Sequence, residues 1–399
     1  MAGRFHTRGH AAVLAAVARA IDRGRPPHAL LLVGPGGIGK TTLALDMAAG
    51  LLCLDPDPTA RPCRACAGCR KVEHGNHPDL HRLAPEGAGE QIRLAQVQGL
   101  TGDMSLLPME GRWRVAIIEA AHRLNPDAQN ALLKTLEEPV GFACIVLAVD
   151  DPTTILPTVE SRSARLRMGP VPAPEIAAFL MERSLLDASR ASAVARASGG
   201  RPGVALGLAS DPTVALATDR LARNLLDLTH ADRRRRLAVV IDLLADATIL
   251  DAAIRGGTPE PSSLPEKARA PRASRGSGGG RATQAGRAAA AGRAAAAGRA
   301  AQGSRAAPAE RRRAAIRVLS TWREVGRDLA VVCRGGAVEV RHLDLLEDLR
   351  ATAAVVDEAR LLHFLERLDG LVAAIEAYAN PELALDALVL AWPGPARAA

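Results

Sequence analysis

The run Ala29-Leu30-Leu31-Leu32-Val33, followed at once by Gly34-Pro-Gly-Gly-Ile-Gly39-Lys40-Thr41, constrains the chain more than any other feature. A short, wholly apolar run fits a strand buried on both faces. The glycines after it let backbone N–H groups turn inward around phosphate before a helix begins. Gly34, Pro35, Gly36, Gly37, Ile38 and Gly39 therefore read as a phosphate loop. Lys40 supplies a point charge for terminal phosphates and Thr41 a hydroxyl for Mg²⁺, and Thr42, which begins the helix Thr42–Leu52, is the last of the expected nucleotide-binding residues of the loop. A chance glycine turn would not be flanked by both elements.

The segments around this loop alternate. Val13, Leu14, Val17 and Ile21 make one face of a first helix, and Val115–Ile118 and Ala143–Val149 read as two further core strands. Between them Pro126–Glu138 has helical spacing, and Pro139 stops it. Strands alternating with helices imply a mostly parallel sheet covered on both faces. After Arg167 the strand signal fades into a small helical unit, read as Pro174–Leu186, Ser189–Ala197 and Gly203–Ala209. From about Pro212 the ordered sequence reads as helical, most strongly over Leu237–Leu250, Ala314–Val332 and Ala359–Tyr378. The divisions expected are 1–167, 168–210 and 211–399.

One stretch breaks the pattern. Residues 256–308 are mostly Gly, Ala, Ser, Pro and Arg, with Arg recurring every six residues from Arg281 to Arg305. Six residues advance a helix by about 600°, so these side chains make no stripe, and the stretch is expected to be a disordered insertion. It carries nine basic and two acidic residues, so +7 of the formal +8 lies there. The rest is nearly neutral, and overall basicity is a poor argument for a DNA-binding domain. Aromatic residues make up only 2% of the chain, which argues against a surface that stacks bases. No apolar run has the length a bilayer requires, so no membrane partner is expected and the cytoplasm is the expected compartment.

Four of the six cysteines fall within seventeen residues, as Cys53-x9-Cys63-x2-Cys66-x2-Cys69. In a reducing compartment such clustering points to metal rather than to disulfides. Four thiolates placed tetrahedrally make a closed, structural Zn²⁺ site. His74, His77 and His81 lie nearby as alternative ligands.

A hydrolytic phosphate-loop site follows its next core strand with an Asp for Mg²⁺ and an adjacent Glu to activate water. Here Val115–Ile118 leads into Glu119-Ala120-Ala121-His122. Glu119 can hold a metal through water, Ala120 cannot act as a base, and His122 reads as a helix-start residue. The expectation is a site that takes ATP with Mg²⁺ and cleaves it poorly. Arg162, within Ser161-Arg162-Ser163, reads from the residues alone as a solvated charge on a helix end.

Several motifs together resemble one family: His28-Ala-Leu-Leu before the loop, the four-cysteine insert, His77-Pro-Asp79 and Val115-Ala-Ile-Ile-Glu-Ala. Asn130-Ala-Leu-Leu-Lys-Thr-Leu-Glu-Glu-Pro139, Ser161-Arg162-Ser163 and Asn380-Pro-Glu-Leu-Ala-Leu-Asp386 complete the set. The chain is similar to the clamp-loader AAA+ family, and within it to the non-motor, delta-prime type. The resemblance is dense over 27–206 and thinner near 317–326 and 374–392. It implies a RecA-like AAA+ domain with a zinc module at 53–69, a small helical lid and an all-α C-terminal collar. It also implies a hetero-pentamer with tau/gamma and delta subunits that loads a sliding clamp onto primed DNA in a DNA polymerase III holoenzyme. Arg162 would be an arginine finger acting on a neighbour's ATP. Motor subunits end the strand after the loop in Asp-Glu and carry a lid arginine; here stand Glu119-Ala120 and, within Gly200-Arg-Pro-Gly203, Gly203. The competing readings are an ATP-hydrolysing tau/gamma-type motor and a small-molecule kinase. The short lid and the collar motifs speak against the kinase, and the family does not account for the 256–308 insertion.

Overall fold

In a computed structural model, the structure describes residues 4–85, 91–183, 185–254, 308–336 and 340–395. Apart from Pro308, the 256–308 insertion lies outside them. The chain divides into two compact units, Met1–Leu206 and Gly207–Ala399.

The first unit is built on a parallel sheet. Its strands are β1 (Ala29–Val33), β2 (Leu80–Leu83), β3 (Arg114–Ile118), β4 (Ala143–Val149) and β5 (Ala164–Arg167), in the order β2-β3-β4-β1-β5. The three central strands are wholly buried, as their apolar runs require. Leu30, Leu32, Val115, Ile117 and Val146 face one way, onto α1 (Ala11–Asp22) and α2 (Lys40–Leu51). Leu31, Val33, Ala116, Ile118, Ile145 and Leu147 face the other way, onto α4 (Leu94–Met104) and α5 (Pro126–Glu137). The short α3 (Ala67–Glu73) and α6 (Pro157–Glu160) precede β2 and β5. Three helices follow the sheet: α7 (Ala173–Glu182), α8 (Ala188–Ala197) and α9 (Pro202–Ser210).

The expected strands and helices stand, with shifted ends. The helix after the loop begins at Lys40 rather than Thr42, because Gly39 (φ 105°) is its N-cap. The expected helix Pro174–Leu186 ends at Glu182. Both edge strands and α4 went unseen in the sequence.

The second unit is helical: α10 (Pro212–Asp227), α11 (Arg233–Ile254), α12 (Pro308–Cys333), α13 (Leu346–Ala353), α14 (Glu358–Glu376) and α15 (Pro381–Ala391). Trp322 and Trp392 are fully buried, and each indole N–H finds an acceptor, at Leu221 O and Thr229 Oγ1, 2.9 Å in both cases. Asp328, wholly buried on α12, accepts the N–H groups of Arg341 and His342 and the Nδ1 of His342.

Candidate phosphate-loop and metal sites

The loop is shaped by close approach as much as by torsion. A Cβ on Gly34 would lie 2.4 Å from Met168 O, a backbone atom that cannot retreat cheaply. Gly37 (φ 79°) and Gly39 (φ 105°) occupy left-handed backbone that L side chains rarely adopt. No side chain caps the start of α2, so its first N–H groups are left for an anion.

Lys40 is buried, and its ammonium is fully engaged. It donates to Gly34 O at 2.6 Å and Pro35 O at 2.9 Å, and it lies 2.7 Å from Asp150 Oδ1. Asp150 follows β4, and the parallel pairing of Val33 with Val149 sets it beside the start of the loop. His122 joins this group: its Nδ1 accepts the N–H of Asp150 at 3.4 Å. Burial lowers the His122 pKa, opposed by the charge of Asp150 and aided by those of Arg123 and Lys40. His122 sits in a single 3-10 turn, Ala121–Arg123, against the residue that holds Lys40.

Glu119 is engaged by Arg82 of the neighbouring strand β2, at 2.8 Å from Nε and 2.5 Å from Nη2. Ala120, in left-handed backbone (φ 53°), brings no polar side chain. Gly203 meets the loop directly: its N–H donates to Gly37 O at 2.8 Å. A Cβ at 203 would stand 2.9 Å from that oxygen, so the approach requires glycine.

Arg162 lies at the other end of the same pair of strands. Ala164 pairs with Leu30, and His28 Nε2 lies 3.1 Å from Arg162 O. Six residue steps along β1 lead from His28 to Gly34, about 20 Å of extended chain. The Arg162 side chain is 36% exposed and forms an ion pair with Glu137 at 2.8 Å, and Nη1 donates to Thr158 O at 3.0 Å. Glu137 ends α5, so the Asn130–Pro139 run and the Ser161-Arg162-Ser163 turn meet in space.

The four Sγ atoms of Cys53, Cys63, Cys66 and Cys69 lie within 4.8 Å of one another. Cys53 and Cys66 are 3.8 Å apart, about the edge of a sulfur tetrahedron around a metal at roughly 2.3 Å. Among the described residues this is the group that can hold a metal ion, and no histidine belongs to it. His74, His77 and His81 bond instead to Arg70 O, the Asp79 N–H and Arg114. Backbone N–H groups of Cys63, Cys66 and Cys69 each point at the preceding cysteine sulfur of the set, at 3.4–3.5 Å. Burial raises the pKa of the Cys66 thiol, but the N–H groups of Cys69 and Leu54 and the neighbouring thiols outweigh it and bring the value down to about 6. Burial pushes the Cys53 and Cys69 thiols up.

Sequence reasoning missed Asp150. The available signal was an acidic residue placed immediately after the third core strand.

Residues 9–172 match the profile of a family described as DNA polymerase III, delta subunit. The chain is 38% identical over 182 residues to the delta' subunit of DNA polymerase III from Pseudomonas aeruginosa, covering 45% of this chain and 55% of that one. Identity to the delta' subunit of Bacillus subtilis is 36% over 165 residues, 41% of this chain and 49% of the other. The tau subunit of Escherichia coli is 36% identical over 160 residues, 40% of this chain and 24% of tau. The chain thus spans about half the length of the delta' relatives it matches.

Proposed function

We propose, from the premise that residues 9–172 form a clamp-loader domain of the delta-prime type, that this protein is a non-motor AAA+ subunit of a DNA polymerase III clamp loader. In this reading it stands beside tau/gamma and delta subunits in a hetero-pentamer and helps to place a sliding clamp on primed DNA. Its working side chain is Arg162, which stabilises charge on the phosphoryl group of a neighbour's ATP.

The observation that carries the reading is the placement of Arg162, about 20 Å along β1 from the chain's own loop. From there it cannot serve its own nucleotide, whereas an adjacent subunit's ATP can be brought to it. A guanidinium in that role is worth roughly 10³–10⁵ in rate. The local site supports a non-motor part: Glu119 is occupied by Arg82, Ala120 offers no base, and Gly203 stands where a lid cation would be needed. The four cysteines hold a structural Zn²⁺, which fits a reducing, cytoplasmic compartment.

The test mixes Arg162→Ala protein with motor subunits, clamp and primed DNA. Assembly is expected to survive, because one rim charge contributes little to a large interface. DNA-stimulated ATP hydrolysis and clamp loading are expected to fall together, with poor rescue by Arg162→Lys, which lacks the planar fork. Wild-type levels of both activities in an assembled Arg162→Ala complex would reject the finger. The similarity to tau favours one second reading, a motor subunit, and steady ATP turnover by the isolated chain would select it.

A further inference from the structure

We propose that Asp150 is a specificity-determining residue of the phosphate loop: an internal counter-anion that stands in for a nucleotide's terminal phosphate and sets the site to prefer a nucleoside diphosphate over a triphosphate. The inference rests on reading the loop around Lys40 as a nucleotide-binding site of the AAA+ subunit proposed above.

An ammonium has three donors. Lys40 donates to Gly34 O at 2.6 Å and Pro35 O at 2.9 Å, and its charge is met by an ion pair with Asp150 Oδ1 at 2.7 Å. The first two acceptors belong to the loop itself and fold the lysine back over it. The third partner is the single anion of the set, and it occupies the lysine charge that a terminal phosphate would otherwise take. The other carboxylate oxygen lies over the loop, 3.2 Å from where a Cβ on Gly36 would be. This is not a loose surface pair of two long side chains, which contributes little. The lysine is only 8% exposed; the aspartate side chain is 47% exposed, but it is short and its backbone is fixed by the β1–β4 register and by its N–H to His122.

A phosphate-loop lysine reaches the β- and γ-phosphates. A diphosphate can lie in the loop amides and at the start of α2 while Lys40 keeps Asp150. A triphosphate cannot. Its γ-phosphate either displaces the carboxylate from Lys40 or rests in contact with a like charge, which opposes binding. No compensating cation comes from position 203, which is glycine and touches the loop through its backbone.

The experiment titrates the full chain with fluorescent ADP and fluorescent ATP in the presence of Mg²⁺. It compares the wild type with Asp150→Asn and Asp150→Ser, and with each of these combined with Lys40→Ala. The wild type is expected to bind ADP about tenfold or more tightly than ATP. Both Asp150 variants should tighten ATP by about tenfold or more, the size of one charge-assisted hydrogen bond, and move ADP less. Adding Lys40→Ala should abolish the gain. Two variants guard against a folding artefact, and their melting temperatures are read alongside. An unchanged ADP-to-ATP ratio in well-folded Asp150 variants overturns the counter-anion and leaves the nucleotide site standing. Absence of binding to either nucleotide by every protein overturns both.

Discussion

Arg64, in the turn between Cys63 and Cys66, is ion-paired with Asp46 in the middle of the helix that follows the phosphate loop. Asp46 is buried and accepts three more hydrogen bonds, from His6 N, Thr7 N and Thr7 Oγ1. Arg64 in turn donates to Arg4 O. One carboxylate thus ties together the cysteine cluster, the loop helix and the N-terminal segment.

Asp46→Asn should be costly. It keeps the shape but removes the counter-charge of a guanidinium whose side chain is only 17% exposed. Breaking a buried pair from one side costs about 3–5 kcal/mol, and the residual access to water brings the expectation to about 2–3 kcal/mol. Urea unfolding of the full chain reads this directly. A change under about 0.5 kcal/mol would mean that the pair contributes nothing net.

Protein purified without chelator should contain one zinc per chain, and Cys66→Ser should lose most of it. Because a four-thiolate site forms only in the folded module, metal binding adds to its stability. Removing the metal should therefore lower the melting temperature and loosen the Arg64–Asp46 tie, seen as faster amide exchange at His6 and Thr7. Less than about half an equivalent of metal would exclude a four-thiolate site.

The isolated chain should turn over ATP more slowly than about 1 s⁻¹, below the usual enzyme range. Restoring a base by Ala120→Glu should not by itself make a motor, because position 203, where the resemblance puts the lid cation, is glycine. Nor can one be grafted simply. Gly203→Arg places a Cβ 2.9 Å from Gly37 O, so α9 must shift, and the variant should lose stability without gaining turnover. Turnover above this bound that vanishes in Lys40→Ala would establish a motor.

The second unit should be most stable in mildly acidic solution. Burial lowers the His342 pKa, but the bond to Asp328 and its charge outweigh that, so the net shift is upward from 6.5. Its stabilisation is complete below 6.5 and lost as pH rises through the folded value. Asp328 is raised by burial and lowered more strongly by its bonds from His342 and Arg341, so its net shift is downward from 3.8. Its stabilisation is present above 3.8 and lost as pH falls through the folded value. The maximum should therefore lie between about 4 and 6.5, and His342→Gln should flatten the alkaline side. A stability curve of the variant that still falls as steeply above pH 6.5 would exclude this pair as the cause.

The central strands were legible because burial on both faces leaves Ala29–Val33 and Ala143–Val149 no choice but apolar residues. The edge strands β2 (Leu-His-Arg-Leu) and β5 (Ala-Arg-Leu-Arg) were not, since an edge is half solvated and carries charge like a loop. The helix α4 was missed because its sequence, Leu-Ala-Gln-Val-Gln-Gly-Leu-Thr-Gly-Asp-Met, has two glycines and only a thin apolar stripe. The loop and the four cysteines are local in sequence and could be read there. The Lys40–Asp150 pair joins residues 110 positions apart through strand order, which no spacing rule reports.

Asp79 is wholly buried, and its carboxylate takes the N–H groups of Met109, Glu110 and Gly111 at 2.6, 2.8 and 3.1 Å. The segment it pins carries Leu106, Leu107 and Met109, which are 56%, 74% and 73% exposed. Here three backbone N–H hydrogen bonds to one carboxylate hold the end of the segment, from Met109 to Gly111. Part of the backbone entropy of that segment is thereby lost during folding and is not lost again on contact. Any surface that comes to cover Leu107 and Met109 meets a preorganised face.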